Sequence, residues 1–354
     1  EQVAKPSLRR RIWGWSFFGL FALAVLAASY LPSPYVIERP GPAFNVLGQQ
    51  DGNRIITVSG ADSYEASGAL DLLTVSIVGV PGNTPTWWEL GAAWLDPAQN
   101  ILPLEQIFPA NQTSSQSEAQ NAAMMKSSQE AAVAAALINL GYKLKAEVSV
   151  VGFGADSPAA GKILEGDRVL SIDDTIVGGV ADMRTALEAK AGKPVTVKVL
   201  RAGYEKKFEI TPVKIGGAWR LAVQVIEKWN FPFKVNLELQ NVGGPSGGMI
   251  FALGIIDTLT PGSMTGGQII AGTGTISADG VVGPIGGIRE KLYSAVRAGA
   301  AWFLAPAANC NEAVGHIPAG LTVVKVENLG QAVRAVKQIA ATKSADGLPS
   351  CTAN

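Results

Sequence analysis

Hydrophobic and polar positions divide the chain into segments with distinct periods. Residues 12–31, "IWGWSFFGLFALAVLAASYL", run without a charge. They follow a basic cluster of Lys5, Arg9, Arg10 and Arg11. Twenty helical residues span roughly 30 Å, the thickness of a bilayer's hydrocarbon layer. The run therefore predicts a transmembrane helix over 12–31, with residues 1–11 as a cytoplasmic tail by the positive-inside rule. The residues after 31 would then lie outside the cytoplasm. A cleaved signal peptide is the alternative, with "LAAS" near a cut site, but the apolar run exceeds the usual h-region.

Residues 32–54 are rich in Pro and Gly and read as a stalk entering a first strand. "RIITVSG" and "ALDLLTVSIVGV" alternate or run apolar with β-branched residues, which predicts strands. "PGNTPTWWELGAAWLDP" reads as a turn-rich insertion; its Trp87, Trp88 and Trp94 would contact a membrane or a substrate if exposed, but core or a packed loop is the reading preferred. From about Ser117 to Leu140 the chain is Ala-rich without Pro or Gly, a helix stopped by Gly141.

Residues 143–213 look like a separate β-rich module. "AEVSVVGF" predicts a strand, "VADMRTALEAK" an amphipathic helix, and "VTVKVLRAG" with "YEKKFEITPV" a hairpin. Beyond it, "WRLAVQVIEKW" and "KVNLELQNV" read as strands, and "GGPSGGMIFALGIIDTLTPG" as a turn and a helix. "GGQIIAGTGTISADGVVGPIGG" reads as a hairpin. "IREKLYSAVRAGA" is a helix, "WFLAPAANC" and "LTVVKVENL" are strands, and "GQAVRAVKQIAATK" is a last helix. The whole is mixed α/β, with the first part of one domain in 32–142, its second part in 214–342, and a tail over 343–354.

Composition adds little chemistry but removes some. Lys+Arg and Asp+Glu both number 29, so no basic surplus marks nucleic acid as a partner. No Walker A pattern occurs in the 354 residues, so no ATP is expected. No cofactor or metal is expected either. Cys310 and Cys351 fit a disulfide in an oxidising compartment, pinning the C-terminal tail.

Ser246 sits between glycines at the start of an apolar helix. A serine hydroxyl becomes a nucleophile only when a nearby base takes its proton. His316 is the single histidine. "GPSGG" formally matches G-x-S-x-G, which with Asp257 or Asp279 and His316 would give an α/β-hydrolase. Lys291 is the other candidate. It lies early in a helix after a glycine-rich turn, where burial and a helix N-terminus both disfavour its charge.

"GGPSGG" and, 45 residues later, the lysine of "GPIGGIREKLYSAVRAGA" resemble the motifs of the Lon-type Ser–Lys proteases. The resemblance extends to "SGALDLLTVSIVGV" and "MMKSSQEAAVAAAL". It implies Ser246 as nucleophile, Lys291 as general base and acid, and Thr273 of "AGTGTI" orienting the amine. The backbone of Ser246, with Gly244 and Gly243, would serve the oxyanion. The family's acid before "GPS" is Gly243 here, and its Glu after "TG" is Thr275. "SPAAG…ILEGDRVLSIDD" is similar to bacterial protease-associated PDZ modules, which bind extended peptides. Without the ATPase half of Lon proteins, the chain more closely resembles the membrane-anchored, PDZ-containing Lon-like proteases of bacteria. The resemblance implies an ATP-independent serine endopeptidase acting on proteins or peptides, with a homo-oligomeric ring as a further implication. A non-catalytic, membrane-tethered peptide-binding scaffold is the alternative.

Overall fold

The structure, a computed structural model, describes residues 8–109, 113–240 and 242–352. The expected cytoplasmic tail therefore lies largely outside the described residues. A helix, α1 (Leu8–Ser29), does form over the apolar run. Its side chains from Trp15 to Ala28 are exposed on every side. Among the described residues, no helix is long and apolar enough to cross a membrane.

The larger domain is built on a mixed sheet. Its strands are β1 (Tyr35–Asn45), β2 (Ile56–Ser59), β3 (Ala69–Val78), β4 (Asn100–Pro103), and, far along the chain, strands Ile269–Gly272, Trp302–Pro306 and Thr322–Val326. All but β2 lie in one sheet. The last three strands and β3 run parallel, whereas β1 pairs antiparallel with both β3 and β4. β2 pairs outside this sheet with Lys234–Leu237.

β1 corrects the expected stalk. Its Pro40-Gly41-Pro42 stretch sits inside an 11-residue strand, where the register to β3 shifts between Pro40 and Ala43. The shift accommodates prolines, which have no N–H to give to the ladder. Gly41 is needed there, because a Cβ would fall 2.4 Å from Thr74 Oγ1 and 2.8 Å from the Thr74 backbone.

The expected hairpin over "GGQIIAGTGTISADGVVGPIGG" is corrected too. Ile269–Gly272 is a parallel strand of the main sheet, and only Thr275–Ile276 and Val282–Gly283 pair as a hairpin.

Helices cover both faces of the sheet. Helix α2 (Trp87–Trp94) is followed by α3 (Ser114–Asn139), which opens on a Thr113–Gln116 capping box. α4 (Val180–Lys190) belongs to the inserted module, and α5 (Gly248–Leu259), α6 (Ile288–Arg297), α7 (Cys310–Ala313) and α8 (Leu329–Thr342) follow it in the larger domain. Strand alternation sorts the core. Leu304 packs with α5 and α8 on one face, while Phe303 and Ala305 pack with Ile288, Leu292 and Ala295 of α6 on the other. α5 is apolar all round and buried from Gly248 to Asp257, as a helix inside a core must be.

The module forms its own antiparallel sheet around a separate core of Val148, Val150, Ile163, Val169, Ile172 and Val197. Strand Ala146–Phe153 lies between Arg168–Ile172 and Val223–Trp229, and the latter is the sheet's edge. The module therefore runs on to Trp229, and the boundary expected at residue 213 falls inside it. Pairing across 70 residues leaves no local signal of where the module ends.

The tryptophans of the insertion are not core. Residues 87–94 form α2, capped by Thr86. Trp87 is 47% exposed, Trp88 64% and Trp94 80%. Cys310 and Cys351 form a disulfide that ties the tail to α7.

Candidate active site

Three elements converge at the carboxyl end of strand Ile269–Gly272. Ser246 occupies the turn that enters α5. Thr273 follows the strand directly. Lys291 lies on the first turns of α6, across the sheet from α5. In a sheet with helices on both faces, the ends of parallel strands are where opposite layers can bring side chains together.

The turn at Ser246 is held from several sides. Gly274 N donates to Ser246 O at 2.8 Å, and Thr273 Oγ1 donates to the same oxygen at 3.0 Å. Ser128 Oγ, from the buried face of α3, donates to Pro245 O at 2.9 Å. The flanking glycines are required by packing. A Cβ on Gly247 would lie 2.4 Å from Leu72 Cδ1, and one on Gly248 would lie 2.8 Å from both Ile276 Cγ2 and Ser128 Oγ.

Lys291 Nζ lies 2.9 Å from Ser246 Oγ and 3.1 Å from Thr273 Oγ1. The lysine is 3% exposed. Burial disfavours its charged form and lowers its pKa from 10.5 to about 8, against the smaller opposing pull of Glu38 and Glu290. An amine neutral in part near physiological pH, within reach of a hydroxyl, can accept that hydroxyl's proton.

The site opens into a cavity of about 470 Å³, lined by Glu38, Thr74, Val75, Gly243, Ser246 and Lys291 among others. Glu38 is buried, and that burial raises its pKa despite a hydrogen bond from Asn100. Glu290 is 1% exposed, its Oε1 has no hydrogen-bond partner among the described residues, and burial pushes its pKa up to about 7. The loop before α6 is fixed by Asn309, whose side chain bonds Ile285 N at 2.9 Å and Ile285 O at 2.8 Å. Asn309 adjoins the disulfide residue Cys310.

The other sequence candidates lie elsewhere. His316 is in the loop after α7 and does not line the cavity. Asp257 is buried in α5 and accepts from Met264 N at 2.8 Å. Asp279 bonds Ser277 in the hairpin turn. Neither completes a triad with Ser246, so the α/β-hydrolase arrangement is absent. Gly243 lines the cavity, but Gly244 N donates to Asn121 O at 2.9 Å, which removes it as an oxyanion donor in this arrangement. Ser128 and Glu38 were not singled out from the sequence. Ser128 sits in an Ala-rich helix, and Glu38 in the supposed stalk, where nothing local marks them.

A second cleft of about 630 Å³ separates the module from α3 and the Ile276–Asp279 hairpin turn. Val180, Val225, Glu227 and Trp229 line it from α4 and the edge strand, and Glu227 Oε1 accepts from Val180 N at 2.6 Å.

Residues 241–339 match the family model of the Lon protease (S16) C-terminal proteolytic domain, and residues 125–211 match a PDZ domain. The PDZ match begins inside α3, whose buried face belongs to the larger core. Lon protease 2 of Herpetosiphon aurantiacus is 36% identical over 91 residues, which are 25% of this chain and 11% of that protein. Among solved structures, the PDZ domain of the SdrC-like protein from Listeria monocytogenes is 19% identical, covering 23% of this chain and 87% of that one, with a TM-score of 0.21. A solution structure from Geobacillus thermodenitrificans is 24% identical, covering 22% of this chain and 94% of that one, with a TM-score of 0.20. The chain carries a Lon-type C-terminal proteolytic domain and a PDZ domain.

Proposed function

We propose that the chain is a serine endopeptidase using a Ser246–Lys291 dyad and needing no ATP. The observation that carries this reading is the 2.9 Å approach of a buried, pKa-lowered lysine to a serine at a helix mouth. Lys291 accepts the Ser246 proton as Oγ attacks the substrate carbonyl. The resulting ammonium gives that proton to the departing amine, leaving an acyl-enzyme. Water, deprotonated by Lys291, then releases the acyl group and restores the serine. Thr273 Oγ1 holds the amine in line. Backbone amides at the turn are the candidate oxyanion donors, with that of Ser246 foremost.

Two further parts belong to the reading. The edge strand Val223–Trp229 and α4 bound a groove suited to an extended peptide added as a strand. That peptide is substrate or a gating ligand. In this reading the uncharged run of residues 12–31, which takes in most of α1, is the membrane anchor, with the basic cluster before it on the cytoplasmic side and the cavity outside, although the described residues alone form no helix long and apolar enough to cross. The support is an apolar helix with exposed side chains all round, which water does not stabilise. Protease protection in intact cells tests the orientation, and mass photometry tests assembly into a ring.

Full-length protein incubated with an unfolded protein substrate tests the activity. The reading expects cleavage, lost in Ser246→Ala and in Lys291→Ala. Cleavage that survives both changes rules out the dyad. No cleavage by the wild type, with peptide binding retained, favours a tethered scaffold.

A further inference from the structure

Helix α2 has an outward face that no other element covers among the described residues. Leu90 and Ala93 point inward onto Ile37, Tyr35, Val78 and Ile101. Outward, Trp88 is 64% exposed, Trp94 80% and Leu95 76%. The helix has one charged residue, Glu89, and that residue is turned back. Its Oε2 accepts from Thr86 N at 2.7 Å and from Thr86 Oγ1 at 2.8 Å, closing a capping box. The capping box holds the Glu89 carboxylate at the start of the helix, away from Trp94 and Leu95 at its far end. An exposed patch built from two indoles and a leucine calls for an apolar or interfacial partner.

The position of the helix identifies that partner. Trp87 N donates to Leu31 O at 3.3 Å, Ser33 N and Oγ donate to Pro85 O at 3.0 and 2.8 Å, and Pro32 bridges Thr86. The start of α2 is therefore pinned to the segment that leaves α1, where Tyr30 and Leu31 are themselves 63% and 58% exposed. Whatever covers the end of α1 continues onto α2. Indole rings, apolar in body and polar at one N–H, favour the boundary between hydrocarbon and headgroups.

We infer that α2 is a membrane-interface helix whose Trp88 and Trp94, with Leu95 just past its end, insert into the headgroup region of the bilayer that holds α1. The inference rests on the proposed anchoring of α1. It has a consequence for substrates. β3 carries Val78 under α2 and Thr74–Ser76 in the cavity wall, two to four residues away. At about 3.3 Å per residue the cavity wall then begins roughly 7–13 Å along the strand from the residues that seat α2. The cavity takes polypeptide segments presented close to the membrane surface.

The test uses the full chain in nanodiscs of phosphatidylcholine and phosphatidylglycerol. An environment-sensitive fluorophore is attached at Leu95→Cys, at Leu23→Cys in α1, and at Tyr204→Cys on the exposed module hairpin, each in a separate variant. Doxyl-labelled lipids quench at shallow or at deep positions. The expected result is loss of Leu95→Cys emission with the shallow quencher, loss of Leu23→Cys emission with the deep one, and no loss at Tyr204→Cys. Quenching at Leu23→Cys without quenching at Leu95→Cys overturns the interfacial role of α2 and leaves the anchor standing. A blue shift at Leu95→Cys without lipid quenching means another protein surface, such as a second copy, covers the face, and also overturns it. Absence of quenching at both positions overturns the anchor and the inference together.

Discussion

Lys291 Nζ stands 2.9 Å from Ser246 Oγ, although one residue is on α6 and the other in the turn that enters α5, helices that cover opposite faces of the sheet. The contact forms where strand Ile269–Gly272 ends and Thr273 Oγ1 meets the amine at 3.1 Å. Lys291→Arg should therefore be as inactive as Lys291→Ala, because a guanidinium stays protonated at any working pH. Thr273→Val should retain the dyad but hold it loosely, with kcat reduced about 10- to 100-fold and KM little changed, on the scale of a lost orienting partner. Steady-state peptide hydrolysis checks both.

Two buried carboxylates tune the amine. Glu38 and Glu290 each raise the Lys291 pKa, while burial lowers it to about 8. Removing either negative charge should lower that pKa further. Glu38→Gln and Glu290→Gln should thus move the rising limb of the kcat/KM profile to lower pH. An unchanged midpoint in both would show that neither carboxylate acts on the lysine.

A lysine kept ready to lose its proton costs stability. The unfolded chain holds the proton up to the ordinary 10.5, the folded chain only to about 8. Between those values the unfolded state binds more protons, so stability should climb as pH rises through the window. Below about 8 the full cost is present, about 3 kcal/mol by the usual conversion. Lys291→Met should accordingly raise the midpoint of denaturant unfolding at neutral pH while abolishing activity. The gain should shrink toward pH 10.

The disulfide closes a loop between residues 41 apart, from α7 to the tail. On chain-entropy grounds, replacing Cys310 and Cys351 by Ser should cost about 4 kcal/mol. Asn309, next to Cys310, clasps the Ile285 backbone ahead of α6. The double variant should therefore also lose activity before it unfolds, measured as kcat against residual structure during a urea titration.

The site residues were legible because their signals are local. A serine framed by glycines before an apolar helix, and a lysine after a glycine-rich turn, each mark a strand or turn entering a helix. Thr273 was legible only through the family likeness. What escaped depends on distant pairing. β1 hid behind Pro40 and Pro42, and its Glu38 in the cavity wall escaped with it. The strand Val223–Trp229 joins the module because it pairs with residues 146–153, which nothing in its own alternation reveals. The Trp-rich stretch alternated neither way, since its helix is apolar outside as well as inside. Ser128 was invisible because only the folded approach of α3 to Pro245 gives its hydroxyl a task.

The rate at which Ser246 is acylated by a peptidyl active-site reagent, followed by mass spectrometry across pH, bears most directly on the dyad. The account predicts a rate that rises with pH, reaches half its plateau near the lysine's value of about 8, and vanishes in Lys291→Met while persisting in His316→Ala. A rate indifferent to Lys291→Met, or one lost in His316→Ala, would contradict it.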